Sequence, residues 1–355
     1  MSDHISKIQS EIPQNSAVIL ESPSNTFYVT GLKDSEGTVI LMPNKVCFLL
    51  DFRYFEAAVN TAKDCEVVLF DDLFQSINEI LKANNVKTVY TENDYISLSR
   101  YNAYKQKLDG IVVSDEAFAT RLFKKHRECK SSCEIEKIKA AQKITDKTFD
   151  YILGKIAPGK TEIELMLDME FYLRKQGSEG VSFPFIVVSG KNTSLPHGVP
   201  TAKSIEKGDF VTMDFGAVSG GYHSDMTRTV AVGKPTQEQI KVYNTVLYAQ
   251  QKALDTIKSG SKCCDVDKVA RDYIYANGFK GCFGHGLGHG VGIDIHEAPS
   301  LSPRYQDALK PGMVVTVEPG IYLQNKFGVR IEDTVVITDN GYENITKSKK
   351  ELIIL

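Results

Sequence analysis

Over the first 124 residues, short apolar runs alternate with polar ones, and after residue 125 they give way to longer helical spacings. The runs SAVILES (16–22), TVILM (38–42) and KVCFLLDF (45–52) predict strands, and FQSINEILKANN (74–85) predicts an amphipathic helix. Together they describe a self-contained α/β unit over residues 1–124. The charged segment RLFKKHRECKSSCEIEKIKAAQ (121–142) leads into a long helical pattern, so a second domain is expected over 125–355.

That second part carries a faint internal repeat. At an offset of 101 residues Ile156 falls on Ile257, Gly159 on Gly260, Tyr172 on Tyr273 and Gly177 on Gly278, with Glu164 on Asp265. Each copy predicts a helix ending at glycine, a turn, and a second helix with another glycine stop. Thr161 and Glu164 make a capping box for the first copy. The strand-rich segments that follow (181–189 with 209–216, and 312–337) are expected to form one pseudo-symmetric sheet with helices outside it.

Acidic residues interrupt these apolar strands. GDFVTMDFGAVSGGYHSDMTRTVAV (208–232) reads as two strands around a Ser-Gly-Gly turn. A turn centred on Ser219–Gly220 sets Asp214 directly opposite Asp225, with Cβ atoms about 5 Å apart. Centred one residue later, the two become diagonal neighbours on the same face. Val211, Met213, Phe215, Met226 and Val230 flank them. Like charges so placed need a shared proton, a cation or a metal, unless the pair lies at a wet sheet edge. MVVTVEPGIYL (313–323) and GVRIEDTVVIT (328–338) each predict a strand and each carries a glutamate among apolar neighbours, Glu318 and Glu332. Asp333, adjacent to Glu332, is then the one expected to face solvent.

FGHGLGHGVGIDIHEAP (283–299) holds three of the chain's seven histidines, His285, His289 and His296. Glycine at every second position from 284 to 292 destabilises a helix by around 1 kcal/mol each. An extended segment fits better, with glycines on one side where neighbouring backbone approaches closely. The run is not GxGxxG and no Walker lysine follows, which argues against a phosphate cradle. With four carboxylates unaccounted for, metal ligation is favoured over a structural role for these histidines.

Composition narrows the function classes. A formal net charge of −3 over 355 residues gives no electrostatic reason for nucleic acid or an anionic membrane as partner. No stretch reaches the roughly 18 apolar residues of a membrane span. The N-terminal MSDHISKIQSEIPQNSAVIL has no apolar core of a signal peptide. With seven cysteines and no CxxC pair, this predicts free thiols and a cytoplasmic protein. His126, Cys129 and Cys133 lack a nearby fourth ligand and read as a helix-entry linker rather than a zinc site.

The order Asp-x10-Asp, HGLGHGVG, VEPG, RIED resembles the pita-bread metallopeptidases: aminopeptidase P, prolidase and methionine aminopeptidase. NTFYVTGL (25–32) and DFRY (51–54) resemble the creatinase-type domain of the first two, which methionine aminopeptidases lack. The resemblance implies an α/β two-domain chain, with a creatinase-like N-terminal domain and a C-terminal pita-bread domain of pseudo-symmetric curved antiparallel sheet and outer helices. It implies metal ligands Asp214, Asp225, His289, Glu318 and Glu332, with Asp225 and Glu332 bridging two divalent ions. It also implies a substrate-side histidine at His197, further active-site histidines at His285 and His296, and a substrate-side arginine at Arg330. The oxygen-rich set favours Mn²⁺, with Co²⁺, Zn²⁺ or Fe²⁺ as alternatives. Glu318 is expected to shuttle a proton, and His197, His285 or His296 to stabilise the oxyanion or assist the departing nitrogen. His223 has no counterpart and reads as a surface residue.

The implied activity is hydrolysis of Xaa-Pro bonds in proline-containing peptides by a homodimer. Many prolidases carry a carboxylate-clamping arginine four residues after the position of His296. Here that residue is Ser300 and the nearest arginine is Arg304, which tilts the expectation towards aminopeptidase P over an Xaa-Pro dipeptidase. A creatinase-like amidinohydrolase or a non-catalytic relative is disfavoured because all five ligands are retained.

Overall fold

The apolar runs of the N-terminal half pair into one mixed sheet. The computed structural model describes residues 3–355, so Met1 and Ser2 of the N-terminal stretch lie outside the described residues. Two units are resolved, Met1–Arg127 and Glu128–Leu355. In the first, the chain runs α1 (Asp3–Glu11), β1 (Ser16–Leu20), α2 (Pro23–Thr30), β2 (Thr38–Met42), β3 (Lys45–Leu50) and α3 (Phe52–Thr61). It continues through β4 (Glu66–Leu69), α4 (Leu73–Ala83), β5 (Thr88–Thr91), α5 (Leu98–Lys107), β6 (Val112–Val113) and α6 (Phe118–Glu128). The sheet order is β4-β3-β2-β1-β5-β6. Its central strands are buried on both faces, which is why they read as unbroken apolar runs. Ile77 and Leu81 of α4 close the core over Ile19, Ile40 and Leu49.

The second unit is built twice. First come α7 (Ser132–Leu153), α8 (Glu162–Lys175), β7 (Ile186–Ser189), a short 3-10 turn (Gly190–Ser194) and β8 (Phe210–Phe215). Then follow β9 (Val218–Ser219), β10 (Tyr222–His223), β11 (Met226–Ala231), α9 (Gln237–Leu254) and α10 (Cys263–Ala276). The chain ends with β12 (Gly288–Gly290), β13 (Glu297–Leu301), β14 (Val314–Val317), β15 (Gly320–Leu323), β16 (Phe327–Arg330), β17 (Asp333–Ile337) and β18 (Tyr342–Asn344). Shifting α8 by the repeat offset reproduces both ends of α10. Gly159 and Gly260 both turn through positive φ, 92° and 86°, and each donates its N–H back to an equivalent carbonyl, Ile205 and Leu309. The predicted Thr161–Glu164 capping box is present. α7 and α8 pack over β7, β8 and β11, and α9 and α10 over β14 and β17, giving two cores.

The expected single sheet is two ladders, β11-β8-β7 and β13-β12-β14-β17-β18, with β15–β16 as a separate hairpin. Each long apolar run is therefore two strands. Pro319 has no N–H to continue the ladder. Opposite it, the Glu332 N–H leaves its neighbour and donates 3.1 Å to the carbonyl of Thr227 on β11. Both glutamates thus stand where the sheets meet. Among the described residues no helix is long and apolar enough to cross a membrane.

Candidate metal centre and its cavity

The aspartate hairpin adopts the later of its two registers. Thr227, not Asp225, faces Asp214 across β8 and β11. The turn centres on Gly220–Gly221, both at positive φ (58° and 76°), the conformation a two-residue hairpin favours. Asp214 and Asp225 remain diagonal neighbours on one face.

The glycines of 284–292 serve close approach. A Cβ on Gly288 would lie 2.0 Å from the Thr316 carbonyl oxygen of β14, and one on Gly290 2.3 Å from the Ala298 carbonyl oxygen of β13. β12 is thus pressed between two backbones, and His289 is held between these glycines. Gly288→Ala therefore forces β12 off β14 and is expected to cost about 3 kcal/mol, which for a unit of this size lowers the melting temperature by roughly 10 °C. Thermal denaturation followed by circular dichroism measures it.

His289, Asp225 and Glu332 each bring one ligand atom to within 4.8 Å of the others. His289 Nε2 lies 3.4 Å from Glu318 Oε1 and 3.6 Å from Asp225 Oδ2. Its Nδ1 sits 3.1 Å from the Gly290 carbonyl, which only accepts, so Nδ1 carries the proton and the Nε2 lone pair faces the carboxylates. Burial pushes the imidazole down to about 4, which keeps it neutral. Asp225 and Glu332 are 4% and 1% exposed, and burial raises both well above the carboxylate range, followed by repulsion from Glu332 for Asp225 and from Glu318 and Asp214 for Glu332. Burial lifts Glu318 to about 8.

One oxygen each of Asp214, Asp225 and Glu332 is buried without a hydrogen-bond partner. Three orphaned carboxylate oxygens beside a neutral imidazole lone pair fit a hard divalent cation, since nothing else there satisfies them. These residues line a cavity of about 870 Å³ together with His197, His285, His296 and Arg330. Phe183, Phe185, Met166 and Ile295 give it an apolar wall.

Two expectations are corrected, the exposure of Asp333 and of His223, and two cavity residues are tied more closely than the sequence suggests. Arg330 lines the cavity but is 4% exposed: its Nη2 pairs with Asp214 at 2.5 Å, Nη1 donates to Tyr322 and Pro196, and Nε donates to Thr227. His285 also lines the cavity, with both ring nitrogens engaged. Its Nδ1 donates to the Gly286 carbonyl (2.7 Å), its Nε2 accepts from the Tyr322 hydroxyl (2.9 Å), and burial pushes its pKa to about 4. Asp333 is buried rather than solvent-facing, between Arg228 and Lys350, each 2.8 Å away. His223 is half-buried, its pKa lowered by burial, because its N–H is drawn to the Gly292 carbonyl. His197 and His296 are exposed at the cavity wall, and His296 lies edge-on to His289 with ring centroids 4.3 Å apart.

Sequence reading missed Tyr322 and Thr227. Tyr322 joins Arg330 to His285, and the Thr227 hydroxyl donates 2.7 Å to Glu332 while accepting from Arg330. The available signal was faint: Thr227 lies two residues from Asp225 on a strand, hence on its face.

Residues 136–339 match the model of Metallopeptidase family M24, and residues 12–128 match that of the Creatinase/Prolidase N-terminal domain. The Xaa-Pro dipeptidase of Pyrococcus furiosus is 37% identical, the match covering 99% of this chain and 100% of that protein. The Xaa-Pro dipeptidase structure from Bacillus anthracis superposes with a TM-score of 0.94 at 40% identity, covering 99% of both chains. The X-Pro aminopeptidase structure from Thermotoga maritima gives 0.92 at 33% identity, covering 98% of this chain and 100% of that one.

Proposed function

The chain belongs to metallopeptidase family M24, and from that premise we propose that it cleaves Xaa-Pro bonds at the N-terminus of peptides, in the manner of aminopeptidase P. The observation that carries the reading is the set of unpartnered carboxylate oxygens gathered on an apolar-walled cavity. On this reading Asp214, Asp225, His289, Glu318 and Glu332 hold two divalent ions, Mn²⁺ by the hardness of the set, in a catalytic domain of residues 125–355 preceded by a creatinase-like domain of residues 1–124. When bound, the ions activate a water at neutral pH and polarise the scissile carbonyl.

The chain's own residues then have distinct tasks. Glu318, on the cavity wall 3.4 Å from His289, is placed to take and return a proton of the reacting water. His197 and His296, at the cavity wall, face the oxyanion and the proline nitrogen, which has no N–H and must gain a proton to leave. Arg330, tied to Asp214, and Tyr322, tied to His285, hold the wall rather than the substrate. A homodimer in the cytoplasm completes the reading.

A dipeptidase is the second reading, favoured by the dipeptidase relatives at 37% and 40% identity. Against it, Arg330 is the one lysine or arginine among the described residues lining the cavity, and its charge is spent on Asp214. No lysine or arginine among the described residues of that wall is left to clamp a free proline carboxylate. After EDTA treatment and Mn²⁺ addition, Ala-Pro-Ala is expected to be hydrolysed and Ala-Pro at least tenfold more slowly, as judged by chromatography of released alanine. The reverse order establishes the dipeptidase, and metal-independent turnover of creatine removes the peptidase reading.

A further inference from the structure

The segment carrying His197 has almost no ladder of its own. Between β7 and Thr201 it runs as a 3-10 turn and a Pro-bounded loop, and Pro196, His197 and Val199 line the cavity. Both ends of this loop converge on one side chain. Glu162, the first residue of α8, is 0% exposed. Its Oε1 accepts from the Ser189 N–H (2.6 Å), the Ser189 hydroxyl (2.9 Å) and Asn192 Nδ2 (3.0 Å). Its Oε2 accepts from the Thr201 N–H (2.9 Å) and the Thr201 hydroxyl (2.6 Å), with Asn192 Nδ2 again at 3.3 Å. Lys203 Nζ donates to the Ser189 hydroxyl at 3.0 Å, placing positive charge one bond further out. Every group facing the carboxylate is a donor, so only an acceptor with several lone pairs satisfies them. An ionised carboxylate in this setting is strongly held.

We propose that Glu162 is a positioning residue for His197: its buried carboxylate closes the Ser189–Thr201 loop and thereby fixes where the imidazole stands over the cavity. The proposal rests on the reading of His197 as a substrate-side histidine. It makes Glu162, which touches neither the cavity nor the ligand set, a determinant of turnover. Glutamine keeps the shape but turns its NH₂ towards the backbone N–H of Ser189 or of Thr201, which can only donate.

The test is a double-mutant cycle in the Mn²⁺-loaded full chain with Ala-Pro-Ala as substrate. Glu162→Gln is expected to lower kcat about thirtyfold with KM changed less than threefold and both metal ions retained by mass spectrometry. In a His197→Ala background the same change is expected to lower kcat less than threefold. Asn192→Ala, which removes one donor and leaves the fold intact, is expected to show the same pattern at about fivefold. Hydrogen exchange at 189–201 is expected to quicken in Glu162→Gln alone. An equal loss from Glu162→Gln in both backgrounds, or unchanged exchange at 189–201, overturns this proposal and leaves the reading of His197 intact. A His197→Ala variant as fast as its parent overturns that reading and this proposal with it.

Discussion

Glu332→Gln is expected to lower turnover of Ala-Pro-Ala by about a thousandfold, near 4 kcal/mol of barrier, while raising the melting temperature of the metal-free protein. The two effects share one cause. Glu332 accepts from Thr227 through Oε2 and leaves Oε1 buried and unpaired beside Asp225 and His289. If the new amide turns its oxygen to Thr227, its NH₂ points into the ligand cluster and repels a cation. If it turns the other way, the Thr227 hydroxyl loses its acceptor. Either geometry weakens cation retention, so metal content measured by mass spectrometry is expected to fall below two ions per chain. Without metal, the substitution removes a carboxyl that burial keeps protonated far above its ordinary range, and with it the penalty that falls on the fold as pH rises. Activity within tenfold of the parent would remove Glu332 from the proposed ligand set.

Metal removal is expected to destabilise the protein most at alkaline pH. Asp225 and Glu332 are raised by burial first, and Glu318 is raised to about 8 by burial. In the unfolded chain carboxyls ionise near 4. Between about pH 6 and 8 these three carboxyls outweigh His223, His285 and His289, which burial keeps neutral while the unfolded chain protonates them below about 6.5, so the metal-free native state binds more protons than the unfolded state and its stability falls as pH rises. A bound cation cancels this penalty by facing the ionised carboxylates. At a thousandfold excess over Kd, Mn²⁺ contributes about 4 kcal/mol, or roughly 10 °C in a unit of this size. Differential scanning calorimetry is expected to give an EDTA-dialysed protein that melts lower at pH 8 than at pH 6, with a larger Mn²⁺ increment at pH 8. A metal-free melting temperature that is flat or rising from pH 6 to pH 8 contradicts the clustering of unpaired carboxylates.

What the sequence made legible was mostly local. The helix pairs and their glycine stops follow from spacing alone, and a run with glycine at alternate positions excludes a helix before any coordinates. Glu318 and Glu332 stand out because an acid in an apolar strand conflicts with its neighbours. The hairpin register was ambiguous because three small residues, Ser219, Gly220 and Gly221, all suit a turn, and only paired positive φ separates the alternatives. Long-range partners were out of reach. Asp333 looked solvent-facing because alternation puts it opposite Glu332, yet Arg228, 105 residues earlier, buries it. The same applies to Arg330, whose charge looked available until Asp214, Tyr322 and Thr227 were brought to it.

The ladder break at Pro319 and Glu332 has a consequence for how the two halves stay together. The two aspartates hang from the β8–β11 side, while the imidazole and the glutamates hang from the β12, β14 and β17 side. A cation seated among them would be a clasp across the join, added to the Arg330–Asp214 pair and the two Thr227–Glu332 hydrogen bonds that already span it.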